Sequence, residues 1–254
     1  MRIFALSDLH VDFDANARWA ADLSRSDYQR DVLILAGDLS DSLDAVERCL
    51  EGMARRFRQV FFVPGNHELW VTRDGRDATS VDKFARLRGV VERGGATMRA
   101  ASVERVSIVP LFGWYDYSFG MPGPELRQTW MDFHACRWPD GWSDADVTDY
   151  FIRQNAPPDL AREDVTISFS HFLPRIDLMP AFIPPARRVI YPVLGSIRIE
   201  QLVRTIRPAI HVYGHSHVNR DIRIDGIQYI NNAFGYPYEE RIASKALKCI
   251  YGAD

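Results

Sequence analysis

The stretch "DVLILAGDLSDSLDAVERCLEGMARRFRQVFFVPGNHE", residues 31–68, indicates how the chain folds. It contains a short apolar run (31–37), an amphipathic segment (42–57) and a second apolar run (59–65). The amphipathic segment has apolar residues at helical spacing, namely Leu43, Val46, Leu50, Met53 and Phe57. A strand, a helix and a second strand in this order predict neighbouring strands of a parallel sheet.

Similar apolar runs lie on both sides of this unit. Residues 2–6 precede it, with a helical pattern over 16–28 between them, and residues 164–170 and 209–214 follow in the second half. Short runs that are apolar throughout are typical of strands buried on both faces. The opening of the chain therefore predicts a strand–helix–strand–helix–strand order.

The second half adds hairpins and further helices. Residues 102–116 and 219–232 have the pattern of hairpin strands, and Asp225-Gly226 is a strong two-residue turn. Residues 144–156 and 198–207 have helical patterns, and Pro208 ends the second. We therefore expect an α/β fold with two packed mixed β-sheets flanked by helices, in a single domain over residues 1–254.

Two segments fit poorly as regular structure. Residues 112–142 are rich in aromatic side chains, and residues 174–197 contain five prolines. Long irregular loops in a compact domain are usually functional or disordered, and this aromatic content argues against disorder. The aromatic rings either form a satellite hydrophobic cluster or stack on a substrate. Both segments are expected on the substrate side of the domain.

Composition excludes several classes of protein. The 254 residues are 46% hydrophobic and 26% charged, as in a soluble globular protein, and the formal net charge is −3. An acidic balance without a basic stripe argues against binding of long nucleic acids. Three widely spaced cysteines form no disulfide framework, which is typical of a cytoplasmic protein. We expect no membrane partner, because no apolar run is long enough to span a bilayer.

Polar residues with metal-binding side chains follow the predicted strands. The candidate ligands are Asp8, His10, Asp38, Asn66, His171, His215 and His217. Ligands of α/β sheets bind beyond the carboxyl ends of the strands, so these side chains are expected at one edge. Residues two apart in an extended chain lie on the same side, so Asp8 with His10, and His215 with His217, can each reach one site.

The chemistry of the candidate ligands narrows the choice of metal ion. Carboxylates, imidazoles and an amide oxygen, without thiolates, suit Mn²⁺, Fe²⁺ or Zn²⁺. Seven candidates exceed the three or four ligands of one tetrahedral zinc ion. They fit two divalent ions that share a carboxylate, an arrangement that can hold a phosphoryl group and generate hydroxide.

These motifs resemble those of the calcineurin-like metallophosphoesterases. The matching blocks are "DLH" (8–10), "GDL" (37–39), "GNHE" (65–68), His171 after a strand, and "GHSH" (214–217), in the same order and at similar spacing. A single block would be weak evidence, whereas five in order are specific. The resemblance implies the double-sheet sandwich of that family and spans most of the chain.

The resemblance also implies roles for the residues. Asp8, His10 and His217 would bind one metal ion, Asn66, His171 and His215 the other, and Asp38 would bridge the two. A hydroxide between the ions would attack phosphorus, and His67 would bind no metal but assist departure of the leaving group. The expected activity is hydrolysis of a small phosphorylated substrate, either a phosphomonoester or a phosphodiester.

Several points remain open from the sequence. Arg175, four residues after His171, is a candidate contact for a substrate phosphate. The alternatives to this enzyme are a non-catalytic metal-binding scaffold for protein interaction and a nuclease acting on short oligonucleotides. The sequence does not determine the native substrate, the identity of the metal or the oligomeric state.

Overall fold

A computed structural model of the protein describes residues 1–155 and 165–252. Residue 156 of the predicted helix 144–156 and residue 164 of the apolar run 164–170 lie outside these ranges, as do residues 253–254. Within the described part, no helix is long and apolar enough to cross a membrane.

Two mixed sheets form the centre of the fold. The first contains β1 (Ile3–Leu6), β2 (Val32–Ala36), β3 (Gln59–Val63), β4 (Ala96–Thr97) and β11 (Lys248–Tyr251). Its described strands lie in the order β11-β1-β2-β3-β4, and β11 is antiparallel to β1 whereas the others are parallel. The strands β1 and β2 are buried along their whole length, as runs without polar residues predict.

The second sheet is built mainly from the later part of the chain. It contains β5 (Ala101–Val103), β6 (Val106–Pro110), β7 (Val165–Phe169), β8 (Ile210–Tyr213), β9 (Arg220–Ile224) and β10 (Ile227–Asn231). Among described residues the order is β5-β6-β7-β8-β10-β9, with parallel central strands and antiparallel edges. Asp225 and Gly226 have φ values of 49° and 86°, the left-handed backbone that the predicted hairpin turn requires.

Helices flank the sheets. They are α1 (Asp14–Asp22), α2 (Leu43–Ala54), α3 (Ser80–Arg93), α4 (Pro124–Thr129), α5 (Asp132–Ala135), α6 (Asp144–Arg153) and α7 (Ile197–Ile206). The Ser42 hydroxyl accepts a hydrogen bond from the backbone N–H of Ala45 and caps α2. The predicted α/β architecture of two mixed sheets flanked by helices is confirmed.

Two helices differ from the sequence-based prediction. The helix expected over 16–28 ends at Asp22, because the Ser24 hydroxyl accepts hydrogen bonds from the backbone N–H groups of Ser26 and Asp27. Such local bonds compete with a helix. Helix α3 was not predicted, although Thr79 and Asp82 form a capping box at its start.

The two irregular segments contain short helical turns. Residues 112–142 include α4 and α5, and residues 174–197 include 3₁₀ turns at Ile176–Leu178 and Pro185–Val193. The ring of Trp114, which is buried, packs against Trp138 of the same segment and against Phe172. Part of the aromatic content therefore forms a hydrophobic cluster.

Candidate metal centre

The sequence-predicted ligands meet where the two sheets end. Asp8 and His10 follow β1, Asp38 follows β2, Asn66 follows β3, His171 follows β7, and His215 and His217 follow β8. The sheets are joined at this edge by the backbone, since Ser7 N–H donates to the Asn232 carbonyl over 3.1 Å. The carboxyl ends of five parallel strands therefore face a common site.

The backbone is strained where the ligands lie. Five of the seven have positive φ angles: Asp8 (53°), His10 (44°), Asp38 (58°), His215 (66°) and His217 (54°). Each such non-glycine residue costs about 1–3 kcal/mol and persists where the surrounding fold imposes it, often at functional sites. Close packing also requires glycine nearby, because a Cβ at Gly65 would lie 2.1 Å from Asp38 Oδ1.

One group of donor atoms comes from Asp8, His10, Asp38 and His217. Their ligand atoms all lie within 4.8 Å of one another, and the four residues are buried. His217 Nε2 is 3.2 Å from His10 Nε2 and 3.3 Å from Asp8 Oδ1. This group matches the first set of metal ligands that the resemblance implies, with Asp38 added.

A second group comes from Asp38, His171 and His215, again within 4.8 Å. The His171 Nε2 atom lies 3.1 Å from Asn66 Oδ1 and 3.5 Å from Asp38 Oδ2. Asp38 belongs to both groups, which is the position a bridging carboxylate would occupy. All seven predicted ligands thus lie in one connected site.

The second group consists of acceptors that face one another without a donor. His171 Nδ1–H donates to the Ala36 carbonyl over 2.8 Å, and His215 Nε2–H donates to the Val193 carbonyl over 3.0 Å. Burial lowers the pKa of both imidazoles, so each is neutral and its other nitrogen carries a lone pair. These lone pairs, on His171 Nε2 and His215 Nδ1, lie only 3.0 Å apart.

The amide of Asn66 adds a third acceptor to this pair. Its Nδ2 group donates to Asp132 Oδ1 over 2.8 Å, so its oxygen turns toward His171. Three converging acceptors without a proton between them suit a cation. Burial and the nearby carboxylates of Glu68 and Asp8 also raise the pKa of Asp38 well above its usual range, which a bound cation would reverse.

Two acidic residues missed by the sequence analysis bind side chains of the candidate ligands. Glu239 Oε2 accepts a hydrogen bond from His217 Nδ1 over 2.6 Å, and Asp132 accepts from Asn66 as well as from the indoles of Trp70 and Trp130. Acceptors behind ligating groups fix their orientation and raise their basicity. Neither residue carried a sequence signal, because each lies in a segment without a recognisable motif.

Glu68 organises the loops that carry the ligands. Its fully buried carboxylate accepts hydrogen bonds from the backbone N–H groups of Gly65, Asp38, Leu39 and Ser40, over 2.6–3.2 Å. Burial raises the pKa of Glu68 to about 7 against the effect of these four donors. Glu68, the last residue of "GNHE", therefore links the loops that follow β2 and β3.

We expect Glu239→Gln to weaken Mn²⁺ binding by about 10–100-fold, because the amide keeps the shape but binds His217 less strongly. Calorimetric titration of metal-free protein measures the affinity. Glu240→Gln, a change at the exposed neighbouring residue, is the matched control and should bind as wild type does. Equal Mn²⁺ affinities for the two variants would contradict a role for Glu239 in orienting His217.

His67 lies beside the donor groups without belonging to either. Its ring stacks on Trp70 with centroids 3.7 Å apart, and its Nε2 is 3.7 Å from Asp38 Oδ2. Burial and the neighbouring imidazoles of His171 and His217 lower the pKa of His67 to about 3. His67 is therefore a neutral imidazole that can donate one hydrogen bond.

Arg175 contacts acidic residues that are not among the seven candidate ligands. Its guanidinium donates to Asp177 over 2.7 and 2.8 Å and to Glu200 over 3.3 Å. Among described residues, no hydrogen bond or ion pair joins Arg175 to the seven candidate ligands. Its role in substrate binding stays a prediction.

Comparison with known proteins agrees with this geometry. The family model of calcineurin-like phosphoesterases matches residues 1–219. The chain belongs to the calcineurin-like phosphoesterase family. The expected fold family and the expected enzyme class, a metal-dependent phosphoesterase, are thereby confirmed. The interpretation as a non-catalytic scaffold is not supported.

One relative, PptH of Mycobacterium tuberculosis, matches this calcineurin-like phosphoesterase in both sequence and structure. The acyl-carrier-protein phosphodiesterase PptH of Mycobacterium tuberculosis is 29% identical over 276 aligned residues, covering 94% of this chain and 79% of that protein. The crystal structure of Phosphopantetheinyl Hydrolase (PptH) from the same organism has a TM-score of 0.78 at 25% identity, covering 99% and 96% of the two chains. A further solved structure, 11% identical with a TM-score of 0.52, shows the fold alone.

Proposed function

We propose that this protein hydrolyses the phosphodiester bond that joins a phosphopantetheinyl group to an acyl carrier protein. The observation that carries the proposal is the similarity to PptH, which extends over nearly the whole chain in both sequence and structure. The substrate is then attached to a protein, whereas the sequence alone led us to expect a small phosphorylated substrate. The reacting phosphodiester itself is still small.

The donor set supports two divalent ions, with Mn²⁺, Fe²⁺ or Zn²⁺ as candidates. Asp8, His10 and His217 would hold one ion, Asn66, His171 and His215 the other, and Asp38 would hold both. When bound, the ions would stabilise charge on the phosphoryl oxygens and make a coordinated water more acidic. The converging acceptors described above fit this assignment.

The other residues position groups around the reacting phosphate. His67, neutral and held by stacking on Trp70, can donate a hydrogen bond to the oxygen that leaves the phosphorus. Glu239 and Asp132 keep His217 and Asn66 turned toward the site. Because these contacts exist before substrate binds, little reorganisation is needed during the reaction.

The proposal is tested by steady-state rates on a panel of substrates. With Mn²⁺, we expect a phosphopantetheinylated carrier protein to be cleaved with a higher kcat/KM than an aryl phosphodiester, an aryl phosphomonoester or a short oligonucleotide. Removal of metal by a chelator should abolish all activity, and added Mn²⁺ should restore it. Preference for the oligonucleotide would favour the nuclease alternative, and activity without metal would contradict the proposed centre.

A further inference from the structure

A groove of about 620 Å³ is lined in part by residues that directly follow the candidate ligand His217 in the chain. Its lining includes Pro180, Phe182, Val218, Arg220, Arg241 and Ile242. This volume lies in the range of sites that bind small molecules, roughly 300–1,000 Å³. None of these residues has a part in holding the metal centre.

The groove and the metal centre share chain segments. Val218 directly follows the candidate ligand His217, and the strand-like contact beyond it joins Asn219 N–H to the Ile242 carbonyl over 2.8 Å. Arg241, another lining residue, lies two residues after Glu239, which binds His217. The groove and the candidate metal centre are therefore built from directly adjoining residues of the chain.

Phe182 is held in an exposed position at the groove. Its relative exposure is 79%, a high value for such a large apolar side chain. The backbone around it is fixed, because Ile183 N–H donates to the Pro180 carbonyl and the Arg188 guanidinium donates to the carbonyls of Ala181 and Ile183, over 2.9–3.1 Å. A rigidly presented apolar ring binds with little loss of conformational freedom.

The groove also contains hydrogen-bond donors. Arg220 and Arg241 both line the groove, and the guanidinium of Arg220 also lowers the pKa of Asp177. The N–H groups of the two arginines can donate to carbonyl oxygens of a ligand. The groove thus combines apolar surface from Pro180, Phe182 and Ile242 with the N–H donors of two guanidinium groups.

We propose that this groove binds the pantetheinyl arm of the substrate. The arm is a flexible chain with a branched apolar part and two amides, so apolar walls with two donor side chains match its chemistry. This inference rests on the proposed function and adds the place where the arm lies. Phe182 and Ile242 contact the apolar part, and Arg220 and Arg241 donate to the amide carbonyls.

The test uses Phe182→Ser and Ile242→Ser, with Met121→Ser as control. Met121 is 78% exposed and lies outside the groove, so it matches Phe182 in exposure. We expect each groove variant to raise KM for a phosphopantetheinylated carrier protein by about tenfold, with little change in kcat. Hydrolysis of bis-p-nitrophenyl phosphate should stay within about twofold of wild type, because this diester has no arm.

A second measurement separates the arm from the carrier protein. Free 4′-phosphopantetheine, which carries both the arm and a phosphate for the metal centre, should inhibit wild-type hydrolysis of bis-p-nitrophenyl phosphate, and about tenfold more should be needed with Phe182→Ser. Unchanged inhibition alongside a raised KM would overturn the assignment to the arm and indicate a contact with the carrier protein's surface. Equal losses on both substrates, or none on either, would also overturn it.

Rates of the wild-type protein show whether the proposed substrate or only the placement of the arm is wrong. If it leaves the phosphopantetheinylated carrier protein intact but cleaves the aryl diester, the proposed substrate is wrong, and the groove then has a different occupant. If it cleaves the carrier protein and the groove variants behave as wild type does, only the placement of the arm is wrong.

Discussion

The Asp38→Asn variant should lose at least about a thousandfold in kcat on an aryl phosphodiester, on the scale of removing a preorganised electrostatic group from an active site. Asp38 is the only residue that belongs to both groups of donor atoms in the described part of the chain. Asparagine keeps its volume but removes the charge that two neighbouring cations would share. The loss should therefore appear as reduced metal content together with reduced turnover.

Metal analysis and rate measurements on the same purified samples check this prediction. Asp14→Asn is the control, because Asp14 lies at the exposed start of α1 and is not one of the donors. It should keep both activity and metal. A near-wild-type rate for Asp38→Asn would contradict the bridging role, whatever the metal content.

The rate loss caused by His67→Ala should depend on how strongly the leaving group of the substrate requires a hydrogen-bond donor. For an alkyl ester such as the serine-linked diester of a carrier protein, the rate should fall by about 10²–10⁴-fold. For a p-nitrophenyl ester the loss should be much smaller, since nitrophenolate departs without a hydrogen-bond donor. The low pKa of His67, which bound cations would lower further, makes it a neutral donor throughout the physiological pH range.

The comparison of the two substrates is the measurement for His67. His134→Ala is the control, because the His134 ring bonds only the Gln128 carbonyl among described residues, outside the metal centre. It should leave both rates unchanged. Equal losses by His67→Ala on the two substrates would contradict assistance to the leaving group and would indicate a structural role instead.

The sequence predicted the sheets and the grouping of the candidate ligands because both depend on short-range patterns. Apolar runs followed by Asp, Asn or His mark buried strands and their carboxyl ends, and the structure brings all seven predicted residues together at those ends. The turn at Asp225-Gly226 is an equally local signal, since Gly226 has a positive φ angle that other residues rarely adopt.

The residues that the sequence did not predict act over long distances in the chain. Glu239 bonds His217, and Asp132 bonds Asn66, which lies 66 residues earlier. Nothing in their immediate neighbours distinguishes them from surface carboxylates. The groove beside His217 is likewise formed by segments from 180–182, 218–220 and 241–244, which only the fold brings together.

The most direct measurement is the intact mass of a phosphopantetheinylated acyl carrier protein after incubation with this protein and Mn²⁺. We predict that the carrier protein loses the mass of its phosphopantetheinyl group and regains an unmodified serine, while a parallel sample with Asp38→Asn stays modified. A carrier protein that keeps its full mass with active, metal-loaded wild-type protein would contradict the proposed function.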